Sequence, residues 1–104
     1  MGVNTPELET QERTQDDQQT KEPPLYRVLL HNDDYTTMAF VIEILMGVFK
    51  RTIADATRIM MNVHRKGIGV CGTYPYEVAE TKVETVEMLA RANGFPLKCS
   101  MEKV

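Results

Sequence analysis

From Leu25 onward the spacing of apolar and polar positions changes several times, and each change marks an element. Leu25 to His31, carrying Tyr26, Val28, Leu29 and Leu30, reads as a strand. Phe40, Val41, Ile44, Leu45, Val48 and Phe49 then recur at helical spacing. An amphipathic helix is expected from Met38 to about Lys50, with Thr36 as its N-cap and Gly47 weakening it slightly. Thr52 can cap a second helix whose apolar face carries Ile53, Ala56, Ile59, Met60, Val63 and His64, and Gly67 ends it. Ile68, Val70 and Tyr74 give a second strand, interrupted by Gly69 and Gly72. Pro75 suits the start of a third helix, which should bury Val78, Ala79, Val83, Val86, Leu89 and Ala90. Asn93-Gly94 stops it, Phe95-Pro96 turns the chain, and Leu97, Cys99 and Met101 alternate along a last strand. Helices set on one face of a small sheet make a two-layer α+β domain.

Residues 1–24 do not share this patterning. They hold no aromatic residue, almost no aliphatic one, and six acids against two bases, so the remaining chain carries +1 of the total charge of −3. Ordering a backbone costs about 1 to 2 kcal/mol per residue, and little apolar surface is present here to offset it. An acidic, disordered extension over 1–24 is therefore expected, followed by one core domain over 25–104, with Pro23-Pro24 at the boundary.

Composition narrows the function classes. The nearly neutral core offers no basic stripe for nucleic acid, and Arg65-Lys66 is most simply the last turn of a helix. The longest largely apolar stretch, Met38 to Phe49, is too short to span a bilayer and contains Glu43. No signal or transit peptide pattern is visible, so a soluble cytoplasmic protein is expected. Cys71 and Cys99 lack any CxxC or zinc-ligand spacing and read as free buried thiols.

Candidate chemistry gathers after the first strand, in Asn32-Asp33-Asp34-Tyr35-Thr36. Asn and Asp end strands readily, but a turn does not require two adjacent carboxylates. His64 closes the second helix, where an ordinary half-buried helix-end histidine is the commonplace reading. His31, Asp33, Asp34 and His64 also raise a metal site or an acid–base enzyme. Against that, there is no HxH or HxxxH spacing, and no Ser or Cys is placed by a motif as nucleophile.

The order of these stretches over residues 24–104 resembles the ClpS family, adaptors that bring proteins with destabilising N-terminal residues to a Clp unfoldase and protease. The similarity rests on Tyr26-Arg27-Val28-Leu29-Leu30, Asn32-Asp33-Asp34-Tyr35-Thr36, Phe40-Val41, Met60 to His64, Val70-Cys71-Gly72, Glu77-Val78-Ala79-Glu80-Thr81-Lys82-Val83, and Pro96-Leu97 through Cys99 to Glu102-Lys103. It implies a three-stranded antiparallel sheet packed against three helices in the order β-α-α-β-α-β. It further implies no catalytic activity, no cofactor and a monomer.

The resemblance assigns capture of a substrate's free α-amino group to Asn32, Asp33 and His64. An ammonium presents three N–H donors and a charge, so an amide oxygen, a carboxylate and a neutral imidazole nitrogen are suitable acceptors. Thr36, Met38, Val41, Met60, Val63 and Leu97 correspond to a hydrophobic pocket for a first side chain of Leu, Phe, Tyr or Trp. Thioethers suit a slot that accepts both flat and branched groups. Glu77 and Lys82 correspond to the surface that docks on the N-terminal domain of a hexameric AAA+ unfoldase of ClpA or ClpC type. Five residues apart on a helix, they do not stack on each other and are expected to be available to a partner. The resemblance also implies that the N-terminal extension is engaged by the unfoldase during hand-off. Thr37 stands where the family usually has Pro, read as the first helical position, and Pro75 where a capping Thr is common. Asp34 is expected to cap or brace the loop, with no ligand role. The competing reading is a generic interaction domain of ribosomal-stalk-like fold, which predicts no preference for a free N-terminal residue.

Overall fold

The computed structural model describes residues 22–104, so the expected disordered extension lies, up to residue 21, outside the described residues. Six elements follow one another: β1 (Leu25–His31), α1 (Met38–Gly47), α2 (Ile53–Lys66), β2 (Ile68–Pro75), α3 (Tyr76–Ala92) and β3 (Lys98–Lys103). The strands form one antiparallel sheet in the order β2-β1-β3, with β1 in the centre. This is the expected α+β arrangement of three strands and three helices.

Two strand periodicities set the layers. Val28, Leu30, Cys71 and Cys99 point into the core and join Phe40, Val41, Ile44, Leu45, Ala56, Ile59, Met60, Val63, Ala79, Val86, Ala90 and Leu97 from the helices and the loop before β3. On the opposite face Arg27 pairs with Glu102 at 3.0 Å and the His31 ring lies 2.6 Å from the Ser100 hydroxyl. Ile68 and Val70, paired with His31 and Leu29, share that face and stay over two-fifths exposed. The β1–β2 register shifts between Val28 and Leu29, leaving Cys71 as the extra residue of a bulge. Its carbonyl is taken up from outside the sheet, by Arg51 Nε at 2.9 Å and a second guanidinium nitrogen at 2.7 Å. Both thiols are free and buried, and desolvation pushes the Cys99 thiol up to about 12, outside the range of a reactive thiolate.

Helix ends depart from the expectation in two places. Thr37, not Thr36, is the N-cap of α1: its backbone is extended and its hydroxyl accepts the Phe40 amide at 3.1 Å. The Thr36 hydroxyl instead donates to Asp33 Oδ2 at 2.7 Å. The position where the family usually has Pro is thus a cap rather than the first helical residue, and Thr supplies there an acceptor that Pro lacks. The helix also stops earlier than Lys50. It ends at Gly47 with Val48 as C-cap, Phe49 turns into the core, and Lys50 takes a left-handed φ of 58°. The caps at Thr52 and Gly67 are as expected, Gly67 adopting φ 88°. Ile53 and Val78, both expected on buried faces, are exposed: Ile53 is the first residue of its helix, and α3 seats itself through Ala79, Val86 and Ala90.

Candidate functional site

Asn32 leaves the end of β1, and its backbone N–H donates to the Gly67 carbonyl at 2.9 Å. Gly67 is the left-handed cap of α2, three residues beyond His64. One nonlocal bond therefore fixes the polar loop beside the end of the helix that carries the histidine. Met60, Val63 and His64 share one side of α2 by i, i+3, i+4 spacing, and Met38 and Val41 do the same on α1. The result is a cleft of about 240 Å³ lined by Asn32, Asp33, Asp34, Thr36, Met38, Val41, Met60, Val63 and His64.

The lining divides by chemistry. Val41, Met60 and Val63 are buried and form an apolar base, Met38 stays 46% exposed at the rim, and Asn32, Asp34 and His64 lie exposed at the mouth. No Lys or Arg lines it among the described residues, so two carboxylates give it a negative potential. Eight of the nine residues expected to hold an amine or a first side chain thus converge. Leu97 is placed elsewhere: it is buried in the core cluster that also contains Val41, Met60 and Val63 but does not line the cleft.

Asp33 and Asp34 divide the labour differently from the expectation. Asp33 Oδ1 accepts the Tyr35 amide at 2.8 Å and the Thr36 amide at 2.7 Å, while Oδ2 accepts the Thr36 hydroxyl at 2.7 Å. Bracing of the loop therefore falls to Asp33, not to Asp34. Asp34 lines the cleft with its carboxylate making no hydrogen bond to another side chain or backbone group among the described residues. The only sequence signal for it was the like-charge adjacency itself. Asp33 Oδ2 still has a lone pair left for a further donor.

Burial alone pushes the Asp33 carboxyl up, but the bonds from the Thr36 hydroxyl, the Thr36 amide and the Tyr35 amide outweigh it and hold the group below its ordinary 3.8. A carboxyl with a depressed folded value stabilises the protein fully above the unfolded value and loses that contribution as pH falls through the folded one. Urea unfolding from about pH 5 down to about pH 3 should accordingly show a steeper loss of stability in the parent protein than in Asp33→Asn. Parallel acid limbs for the two proteins would show that the brace does not depend on the charge.

His31 does not join this group, being engaged with Ser100 on the other face of the sheet. Among the described residues no cluster of three or more His, Cys, Asp or Glu is arranged to hold a metal ion, and no helix is long and apolar enough to cross a membrane. Glu77 lies exposed in the first turn of α3. Lys82, expected to be available to a partner, is instead engaged within the fold. Its Nζ donates to the Val48 carbonyl at 2.8 Å, at the C-terminal end of α1, and lies 5.7 Å and 5.2 Å from the ring centroids of Phe49 and Tyr74. The carbonyl end of the helix and two ring faces all favour a cation there.

Residues 21–100 match the model of the family described as ATP-dependent Clp protease adaptor protein ClpS. A protein of that name from Desulfatibacillum aliphaticivorans is 60% identical over 89 residues, covering 86% of each chain. Another from Desulforapulum autotrophicum is 52% identical over 103 residues, covering 99% of each. Among solved structures, Agrobacterium tumefaciens ClpS2 bound to L-phenylalaninamide superposes with a TM-score of 0.77 at 38% identity, covering 80% of this chain and all of that one.

Proposed function

The chain belongs to the ClpS family of ATP-dependent Clp protease adaptor proteins, and we propose that it selects its cargo by the free α-amino group and the bulky hydrophobic side chain of the first residue. It is an adaptor of the Clp protease, not an enzyme. The observation that carries the finer reading is the two-part cleft, with an amide, an acid pair and an imidazole at its mouth above a base of Val41, Met60 and Val63. The ligand of the Agrobacterium relative, L-phenylalaninamide, has the same two parts: a free amine and an aromatic side chain.

In this reading the ammonium donates to the Asn32 side-chain oxygen, to a neutral His64 nitrogen and to a carboxylate. Asp33 offers the remaining lone pair of Oδ2, and Asp34, with no hydrogen-bond partner of its own among the described residues, adds a second carboxylate. Thr36, Met38, Val41, Met60 and Val63 receive the first side chain, with Leu97 behind them in the core cluster. Delivery is to the N-terminal domain of a hexameric unfoldase of ClpA or ClpC type. Glu77 makes the direct contact, and Lys82 contributes by holding the end of α1 against α3. Residues 1–24 act as the extension that the unfoldase engages.

Burying a Leu or Phe side chain contributes about 1.5 to 3 kcal/mol. Peptides that differ only at their first residue should therefore bind about 10- to 150-fold more tightly with Phe, Leu, Tyr or Trp than with Gly or Ser, by fluorescence anisotropy. A flat series would remove the pocket reading and return the chain to a generic interaction domain.

A further inference from the structure

Gly69 is buried in β2 opposite Leu30, on the sheet face that carries the core. Its φ does not lie in the left-handed region, which among the described glycines is adopted by Gly67 and Gly94, so the backbone does not demand glycine there. The demand comes from above. A Cβ at position 69 would stand 2.6 Å from Val63 Cγ2 and 3.3 Å from the Ile59 carbonyl oxygen, with the Val63 amide at 3.5 Å. The missing side chain is what lets the last turns of α2 settle onto the sheet. Val63, held in that contact and only 3% exposed, forms part of the base of the cleft.

We propose that Gly69 is a positioning residue for specificity: by leaving room beneath Val63 it keeps the valine methyls out of the cleft and so admits a flat aromatic first side chain. This rests on reading the cleft as a first-side-chain pocket. A methyl at 69 has two ways out, lifting α2 or turning Val63. Lifting is resisted by the Asn32–Gly67 bond at 2.9 Å and by the burial of Ala56, Ile59 and Met60 along the same helix, whereas the Ile59 oxygen needs to yield only a few tenths of an ångström. Val63 then turns away from its preferred helical rotamer, at a cost smaller than lifting the helix, and moves a methyl toward the cleft. Val63 lines the pocket, so that methyl takes up pocket space. Loss of depth should penalise Phe and Trp more than the shorter Leu.

The test is a set of anisotropy titrations of Phe-, Trp- and Leu-initiated peptides. Gly69→Ala should weaken Phe and Trp peptides about tenfold while leaving the Leu peptide within about twofold. Adding Val63→Ala to that variant should bring the Phe:Leu ratio back to within about twofold of the parent, because the displaced methyl is gone. Val63→Ala alone should shift the ratio toward Phe and Trp, and an unchanged ratio there would overturn the proposal even if Gly69→Ala does not fold. Equal weakening of all three peptides in folded Gly69→Ala, or no rescue in the double variant, would overturn it. A parent protein indifferent to the first residue would instead remove the pocket reading on which it rests.

Discussion

Asp33→Ala is expected to remove most peptide binding and to destabilise the fold, whereas Asp34→Asn weakens binding and leaves the fold alone. The difference follows from hydrogen bonds. Asp33 accepts three of them within its own loop, two from backbone amides and one from Thr36, and each bond to a charged acceptor contributes about 1.5 to 3 kcal/mol before solvent discounts it. The loop is partly exposed, so a loss of about 2 kcal/mol in unfolding free energy is expected for the alanine variant. Without the brace Tyr35 and Thr36 lose their fixed positions and the amine loses one carboxylate acceptor, and peptide affinity should fall by about 100-fold or more. Asp34 has no such partner to lose. Its substitution by Asn removes charge at constant shape, so stability should stay within about 0.5 kcal/mol while affinity drops about 5- to 10-fold. Urea unfolding and anisotropy on the two variants separate these outcomes. An Asp33→Ala protein with parental affinity would show that the loop's geometry is not what presents the acceptors.

Local patterning accounts for much of the fold. The helical spacing of Phe40, Val41, Ile44 and Leu45, the Thr52 cap, the Gly67 stop and the alternation of Cys99 and Met101 are short-range signals, and the structure follows them, although Leu97, expected on the same strand, lies in the loop before it. What was illegible depends on partners distant in the chain. The bulge at Cys71 persists because Arg51, twenty residues earlier, satisfies the stranded carbonyl. The early end of α1 goes with Lys82 gripping the Val48 carbonyl from another helix. Thr36 is the cap that local spacing suggests, yet its hydroxyl donates to Asp33 and the cap falls to Thr37. The exposure of Ile68 and Val70 follows from which face of the sheet the helices cover, which alternation in the strand alone does not state.

The site was legible in a similar, partial way. Residue types in Asn32-Asp33-Asp34 and His64 indicated chemistry suited to a cation, and family resemblance supplied the grouping. Their actual convergence depends on the Asn32–Gly67 bond, which joins positions far apart in the chain. The division of roles between the two aspartates, and the engagement of Lys82 within the fold, depend on side-chain geometry that no spacing encodes. Gly69 looked like an interruption of a strand. In the folded chain it lies under α2, where a Cβ would meet the Val63 side chain at 2.6 Å and the Ile59 carbonyl oxygen at 3.3 Å.

Capture of a free α-amino group is tested most directly by titrating the protein with a Phe-initiated peptide and with the same peptide N-acetylated, at neutral pH, by fluorescence anisotropy. Acetylation removes the charge and two of the donors while leaving the aromatic side chain and every later residue unchanged. Asn32, His64 and the acid pair would then meet an amide too short of donors to satisfy them, at about 1 to 3 kcal/mol for each group left unpaired. The acetylated peptide should bind about 100-fold more weakly or worse. Equal affinity for the two peptides would contradict amine recognition, leaving the cleft at most a hydrophobic slot.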